Sequence, residues 1–198
     1  LEAIPGFRVA MSADEFKDVL RSVGVAIIGT TADMAPADKK MYALRDVTCT
    51  VASLPLITGS IMCKKLAENP DSLVLDVKTG VGAFMAKEED AIELAQSMIA
   101  AGEGDGKVTT AFVTAMDQPL GRAIGNWLEV AESIRTLSGS GPEDLTDLSV
   151  TLAAQMLVQA KPEGHSGGGG GGGKAKKAKT AGGDAFATLA SATERARA

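Results

Sequence analysis

The sequence is poor in the residues that build metal centres and disulfide frameworks. Its 198 residues include two cysteines, Cys49 and Cys63, and a single histidine, His165, and the cysteines form no CxxC pair. Zinc sites and disulfide scaffolds need more of these residues at closer spacing. We therefore expect neither, and a reducing, cytoplasmic location is the simplest interpretation.

Long apolar runs are missing as well. A membrane helix needs about 20 apolar residues and a signal peptide needs a basic segment before an apolar one, and neither pattern occurs here. We expect a soluble intracellular protein with no membrane partner. The chain begins at Leu1 rather than at a methionine, and its first residues resemble the interior of a domain, which suggests a fragment of a longer protein.

Charge divides the chain into two parts. Residues 161–198 hold seven basic and three acidic residues, a local charge of +4, which leaves −9 on the rest of a chain whose formal net charge is −5. An acidic folded part argues against nucleic-acid binding. A small polar substrate suits it better, and a hydrophobic content of 45% is enough to build a core.

Residues 1–160 alternate short β-branched apolar runs with longer helical stretches, the habit of α/β proteins. The spacing Ser-Ala-Asp-Glu at 12–15 predicts a capping box, and Ser53 before Leu-Pro predicts a second helix start. We expect a partial α/β domain, a β-sheet flanked by helices. The predicted strands are 25–28, 73–77 and 107–114, and the predicted helices after Ser12 are 36–47, 53–66, 88–101, 125–137 and 142–160.

The composition changes after residue 160. Residues 167–173 are seven consecutive glycines, and Lys-Ala-Lys-Lys-Ala-Lys follows at 174–179. Such a segment buries too little apolar surface to offset the entropy lost on ordering. The chain is thus predicted to consist of an incomplete α/β domain at 1–160 and a disordered Gly/Lys-rich basic tail at 161–198.

Polar residues interrupt an apolar stretch at 41–65. Ser60 and Lys64 are four residues apart and share a helix face, which brings a hydroxyl beside an ammonium. Spacing alone favours a plainer interpretation, with Ser60 bonded to its own helix and Lys64 extended to solvent. Arg45 is followed by Asp46, and by itself this order indicates a weak local ion pair.

A second polar pair lies at a strand end. Asp76 and Lys78 alternate along the predicted strand and so face the same way. The Gly-Val-Gly run at 80–82 follows them, and no clear helix start comes after it to cradle a phosphate. We interpret this run as a tight turn.

The run Tyr-Ala-Leu-Arg-Asp-Val-Thr at 42–48, with Ser-Leu-Pro-Leu-Ile-Thr-Gly-Ser-Ile-Met-Cys-Lys-Lys at 53–65, resembles the signature of the thymidine/pyrimidine-nucleoside phosphorylase family. Shorter matches follow the same order along the chain, among them Leu-Glu-Ala-Ile-Pro-Gly at 1–6 and Asp-Val-Lys-Thr-Gly-Val-Gly-Ala-Phe-Met at 76–85. The resemblance covers nearly all of residues 1–160.

The resemblance implies a pentosyltransferase that uses phosphate to cleave thymidine or another pyrimidine nucleoside reversibly, in nucleotide salvage. No organic cofactor is implied, and phosphate is the co-substrate. Donors at the base carbonyls would stabilise the negative charge that develops as the base leaves. By resemblance, Arg45 and Lys64 are the catalytic residues, and the base-binding residues are Tyr42, Arg45, Ser60 and Lys64 with apolar walls from Val51, Ile57 and Phe84.

The resemblance also implies parts that the 198 residues do not supply. The family's glycine-rich Lys-His-Ser loop, which binds phosphate and holds the proton-donating histidine, is expected before Leu1, and His165 is no substitute for it. Family members form homodimers through a helical domain that is also expected upstream. Potassium is a further possibility, held by main-chain oxygens and one carboxylate in the segment that contains Leu120, Ala123 and Glu132.

Two alternatives stay open at this stage. The chain could be a non-catalytic base-binding or structural module, since half of the charge stabilisation is missing and the fragment is expected to be inactive alone. A phosphoribosyltransferase of similar fold is the third interpretation. It would require an acidic pair for diphosphate, and the pattern of Arg45, Ser60 and Lys64 argues against it.

Overall fold

A computed structural model describes residues 1–29 and 35–160. The predicted tail at 161–198, with His165, lies outside the described residues. Within them the chain forms six helices and two strands, which confirms the α/β class. The elements are α1 (Ala13–Val23), α2 (Pro36–Val47), α3 (Leu54–Ala67), β1 (Ser72–Thr79), α4 (Glu88–Gly104), β2 (Val108–Ala115), α5 (Asn126–Leu137) and α6 (Glu143–Gln159).

The centre of the fold is a β-α-β unit. Strands β1 and β2 pair in parallel with Ser72 opposite Val108 and Thr79 opposite Ala115, and α4 makes the crossover that parallel neighbours require. Helix α4 packs on both strands and on α3, while α6 contacts β1. Alternation along the strands places Leu73, Leu75 and Val77 on the α4 side, where they are buried.

The core is a single cluster between the sheet, α3 and α4. Its buried members are Met62, Leu73, Leu75, Val77, Met85, Ala91, Leu94, Ala95 and Met98. Helix α4 supplies four of them at helical spacing, which explains why its sequence is apolar along one side. The other face of β2 makes polar contacts with α6. Gln159 Nε2 on α6 donates a hydrogen bond to Thr110 Oγ1 on β2 at 2.7 Å.

The two predicted helix starts differ in detail. The capping box of α1 forms as predicted: Glu15 N donates to Ser12 Oγ at 3.3 Å and Ser12 N donates to Glu15 Oε2 at 2.8 Å. At α3, Ser53 is the residue before the helix, but its hydroxyl makes no capping hydrogen bond. Pro55 in the first turn has no amide hydrogen, so one fewer donor needs a cap there.

The predicted strand at 25–28 is wrong. These residues are not part of a strand, and Val25 and Ile27 are more than half exposed. The segment makes a backbone hydrogen bond from Gly29 N to Val9 O at 2.9 Å. A β-branched run becomes a strand only where another strand pairs with it. In the described residues, no strand lies beside residues 25–28.

The Gly-Val-Gly run forms a turn at the end of β1, as predicted. Gly80 has a φ of 119°, in the region that favours glycine. A Cβ there would lie 2.5 Å from Asp117 Oδ1, the atom that accepts a hydrogen bond from Val81 N. The turn is thereby fixed to the end of β2. Among the described helices, none is long and apolar enough to cross a membrane.

Candidate functional site

One cavity of about 500 Å³ lies between α2, α3 and the carboxyl end of β1. The carboxyl ends of parallel strands are the usual place for ligands in α/β proteins. The structure brings all seven residues of the predicted base site to this cavity, although they come from three separate segments. They are Tyr42, Arg45, Val51, Ile57, Ser60, Lys64 and Phe84.

Arg45 is the most deeply buried of these polar residues, with 5% of its surface exposed. Its Nη1 donates to Leu56 O at 3.1 Å and its Nη2 donates to Val51 O at 2.6 Å. The structure has no salt bridge from Arg45 to Asp46, so the local ion pair does not form. A buried guanidinium held by neutral carbonyls keeps its full positive charge for whatever enters the cavity.

Three of the five N–H donors of Arg45 are not used in these two hydrogen bonds. Nε is buried and has no hydrogen-bond partner among the described residues, and leaving a buried donor unpaired costs free energy. The Tyr42 ring lies over the guanidinium with its centroid 5.3 Å from Cζ, within the range of cation–π attraction. Tyr42 therefore helps to fix the plane of the guanidinium at the cavity wall.

Lys64 is the second cation of the cavity wall. Its Nζ donates to Asp38 Oδ2 at 2.8 Å and to Ser60 Oγ at 3.2 Å, so the ammonium does not simply extend to solvent. Ser60 is buried, and the Asp38 side chain is 14% exposed. Sequence reasoning missed Asp38, which lies on α2, 26 residues before Lys64. No spacing rule connects positions that far apart.

The environment of Asp38 keeps it ionised. Loss of solvent, the largest single influence, raises its pKa. Hydrogen bonds from Lys64 and Ser60, together with the charges of Lys64 and Arg45, outweigh that effect, and the pKa lies below its ordinary value. The carboxylate is therefore an acceptor for both neighbouring side chains.

The apolar walls come partly from predicted residues and partly from the core. Ile57 is half-buried, and Phe84 is 75% exposed on the loop after β1. Val51 contributes its side chain to the wall and its carbonyl to Arg45. Sequence reasoning missed the remaining apolar lining because core positions carry the same hydrophobic signal. These residues are Ile61, Leu75, Val77, Met85, Leu94, Met98 and Met116.

A second lysine also lines the cavity. Lys78 Nζ lies 2.8 Å from Asp76 Oδ2 and donates to Thr114 Oγ1 at 2.9 Å. The Thr114 hydroxyl donates in turn to Asp76 Oδ1 at 2.5 Å. Asp76 and Lys78 thus face the same way, as their alternation predicts, and the pairing register puts Thr114 opposite Lys78.

Of the predicted potassium residues, Leu120 and Ala123 lie in the loop before α5 and Glu132 lies within α5. Glu132 is buried, and its carboxylate accepts hydrogen bonds from Arg122 N at 2.9 Å and from Ala123 N at 3.3 Å. Leu120 is 42% exposed. Asp144 on α6 accepts from Gly121 N at 3.1 Å, and this bond is the main cause of its lowered pKa. Two carboxylates therefore anchor the loop through its own amides.

Comparison with known proteins places this chain in a family. The model of the glycosyl transferase family, α/β domain, matches residues 1–183. The chain is 57% identical over 161 residues to the pyrimidine-nucleoside phosphorylase of Bacillus subtilis (strain 168), 55% over 160 residues to that of Staphylococcus haemolyticus (strain JCSC1435) and 52% over 161 residues to that of Geobacillus stearothermophilus.

Each of these alignments covers 81% of the chain but 37% of the relative. The chain therefore spans little more than a third of the length of the curated relatives it matches. The family match reaches past residue 160 and includes most of the segment predicted to be a tail. On the strength of this match, the chain belongs to the glycosyl transferase family and carries its α/β domain.

Proposed function

We propose that residues 1–160 form the base-binding half of a site for pyrimidine-nucleoside phosphorolysis. In this reaction a phosphate oxygen forms a bond to the anomeric carbon of thymidine or another pyrimidine nucleoside. The bond from that carbon to the base nitrogen breaks, and its electron pair leaves with the base. Protonation of the base then completes the products, a free pyrimidine and a pentose 1-phosphate.

The buried guanidinium of Arg45 is the observation that carries this proposal. Two carbonyls hold it, it makes no salt bridge within the described residues, and its Nε has no partner, while Lys64 and Ser60 line the same cavity. A carbonyl oxygen of a bound base would accept a hydrogen bond from an N–H group that Arg45 does not use within the protein. The apolar lining suits the faces of a pyrimidine ring.

Charge explains how these residues would accelerate the reaction. Negative charge grows on the base carbonyls as the glycosidic bond breaks, and fixed donors stabilise it more in the transition state than in the ground state. Arg45 and Lys64 are the catalytic residues of the proposal. Tyr42 supports Arg45, Ser60 binds the base, and Val51, Ile57 and Phe84 enclose it.

The proposal for the complete protein includes what this chain does not supply. Phosphate is the co-substrate and no organic cofactor takes part. The relatives named pyrimidine-nucleoside phosphorylase, which are longer, support this proposal. By the same resemblance we propose that the complete protein is a cytoplasmic homodimer in nucleotide salvage, and that the 198-residue chain alone is inactive.

Potassium belongs to the proposal as a structural ion. Glu132 fits in charge and burial, with the main chain of Leu120 and Ala123 nearby to add neutral oxygens. Its carboxylate is already bonded to loop amides, so the ion would share it with them. A higher melting temperature in potassium chloride than in equimolar sodium chloride, lost in Glu132→Gln, would support this site, and equal values would refute it.

A chimera tests the catalytic proposal. The matching 161 residues of the Bacillus subtilis relative would be replaced by those of this chain. We expect release of thymine from thymidine that depends on phosphate and is lost in Arg45→Ala and in Lys64→Ala. Lys65→Ala, an exposed neighbour on the same helix, is the matched control. Full turnover in both site variants would refute the assigned roles.

The alternative is a base-binding module without catalysis. The observation that favours it for the isolated chain is that this chain spans only 37% of the length of its Bacillus subtilis relative. An assay on the 198-residue chain separates the two functions. Binding of uracil or thymine without phosphorolysis would support the module, and phosphorolysis by this chain alone would exclude it.

A further inference from the structure

Lys64, Ser60 and Asp38 form a closed group beside the cavity. A single atom, Lys64 Nζ, lies 2.8 Å from Asp38 Oδ2 and 3.2 Å from Ser60 Oγ. The group joins α2 to α3. The Asp38 side chain is 14% exposed and is more shielded from solvent than the Lys64 side chain, which is 33% exposed. Asp38 does not itself line the cavity.

Counting donors and acceptors shows what the group offers a ligand. An ammonium has three N–H donors, and Lys64 uses two of them, on Asp38 and Ser60. Since an ammonium only donates, Ser60 Oγ is the acceptor in their contact. Ser60 Oγ and Asp38 Oδ2 both contact the same Lys64 Nζ. A hydrogen bond from Ser60 is among the causes that lower the pKa of Asp38, so we assign the hydroxyl hydrogen to this carboxylate. Lys64 is left with one donor, and Ser60 is left with one acceptor lone pair.

We propose that Asp38 is a positioning residue of the base site, which fixes the Lys64 ammonium and orients the Ser60 hydroxyl so that this hydroxyl accepts a hydrogen bond from the ligand. The inference rests on the proposed function. Together with the Arg45 guanidinium, the cavity then presents two cationic donor groups and one neutral acceptor.

This set complements a 2,4-dioxopyrimidine. Uracil and thymine have two carbonyl oxygens that accept and a ring N–H between them that donates. Cytosine has an acceptor nitrogen at that ring position and a donor amine in place of one carbonyl. A Ser60 oxygen that can only accept would bind the N–H of uracil and leave the cytosine nitrogen unpaired. An unpaired polar group in a closed site is costly, which makes Asp38 a determinant of specificity.

The second contribution of the Asp38 carboxylate is to order the Lys64 side chain. A free lysine side chain loses rotamer entropy when it is ordered on binding. The bonds to Asp38 and Ser60 restrict Lys64 before a ligand arrives, so that less is lost at that moment. Asp38 also has an opposite effect, because a carboxylate next to Lys64 weakens the attraction of Lys64 for negative charge on the ligand. Replacing Asp38 should therefore weaken ligand binding if Asp38 acts by positioning Lys64, and strengthen it if Asp38 acts only through its negative charge.

The first measurement needs no ligand. The folded 198-residue chain would be treated with trace acetic anhydride, and the acetylation of Lys64 relative to Lys65 read by mass spectrometry. Ion-paired amines react slowly, and Lys65 has only the exposed partner Glu68 at 3.9 Å. We expect Asp38→Asn to raise the ratio several-fold, Asp38→Glu to restore it in part and the control Glu68→Gln to lower it. An unchanged ratio in Asp38→Asn would overturn the positioning role.

The second measurement is the affinity of the same chain for uracil and for cytosine, by NMR titration. Asn at position 38 places an amide N–H₂ where an oxygen was, which turns the Ser60 hydrogen towards the ligand. We expect about tenfold weaker uracil binding, the loss typical of a bond to a charged group, and a smaller preference over cytosine. Asp38→Glu should recover part of both, and Glu68→Gln should match wild type.

The outcomes separate this inference from the proposed function. Uracil binding in Asp38→Asn that equals or exceeds wild type, while Lys64→Ala loses it, would overturn the role of Asp38 and leave the base site intact. Failure of the wild-type chain to bind uracil would count against the proposed function and would overturn the specificity role. The acetylation ratio would still decide whether Asp38 holds Lys64.

Discussion

The cavity carries two triads of the same composition, each a lysine, an aspartate and a hydroxyl residue. In the first, Lys64 on α3 meets Asp38 on α2 and Ser60 one turn before it. In the second, Lys78 meets Asp76 on the same strand and Thr114 on the neighbouring strand. Both lysine–aspartate distances are 2.8 Å. Equal distances thus occur in two different structural settings.

The settings differ in what holds them together. The second triad lies within one pair of strands, where the backbone ladder already fixes its members. The first bridges two helices that otherwise touch little, and its Asp38 also feels the charge of the buried Arg45 guanidinium. We infer that the first triad serves the ligand and the second serves the sheet, and four predictions test that contrast.

The largest difference is expected in turnover. In the chimera with the Bacillus subtilis relative, Lys64→Met should lower phosphorolysis about a hundredfold, because it removes a donor to the developing negative charge. Lys78→Met should lower it only slightly, since its charge is tied to the sheet. Steady-state kinetics with thymidine would measure both. Equal losses would show that the two triads share one role.

The pH dependence of stability gives the next largest effect. The folded pKa of Asp38 is depressed, so its contribution is present above the ordinary value of 3.8 and is lost as pH falls through the folded pKa. At pH 7 the free energy of unfolding should be about 1.5 kcal/mol lower in Asp38→Asn, the value for a bond to a charged group. Urea melts from pH 7 to pH 3 should show the two proteins converging on the acid side, and a constant gap would contradict this role of the charge.

The second triad should matter for stability alone. Thr114→Val removes a hydroxyl that donates to Asp76 and accepts from Lys78, and it should lower the free energy of unfolding by about 1 kcal/mol. Affinity for uracil should stay at the wild-type value in the NMR titration. Ser60→Ala is the matched change in the first triad and should weaken uracil binding. Weaker uracil binding in Thr114→Val would show that the second triad also serves the ligand site.

The smallest effect is expected outside both triads. Lys65 and Glu68 form an exposed pair at 3.9 Å, and such pairs contribute at most about 1 kcal/mol. Glu68→Gln should change the midpoint of urea unfolding very little and uracil affinity not at all. A loss as large as that of Thr114→Val would mean that burial does not separate these ion pairs.

Local patterns predicted much of the fold because local physics sets them. The capping box at Ser12, the helix over 36–47 and the two strands of the sheet follow from spacing and side-chain type. Residues 25–28 have the same β-branched composition as a strand and yet do not form one, because strand formation depends on a neighbour that the sequence does not indicate. Asp76 and Lys78 were paired correctly since alternation within one strand is local.

The sequence by itself determined the α/β class and the helical face shared by Ser60 and Lys64, and through resemblance it proposed the residues of the base site. Tertiary structure alone decided that Arg45 is buried on two carbonyls rather than paired with Asp46 and that Asp38 reaches Lys64 from another helix. The physical reason is that helix periodicity fixes neighbours only within a turn or two. Contacts between α2 and α3 depend on how the whole chain packs around its core.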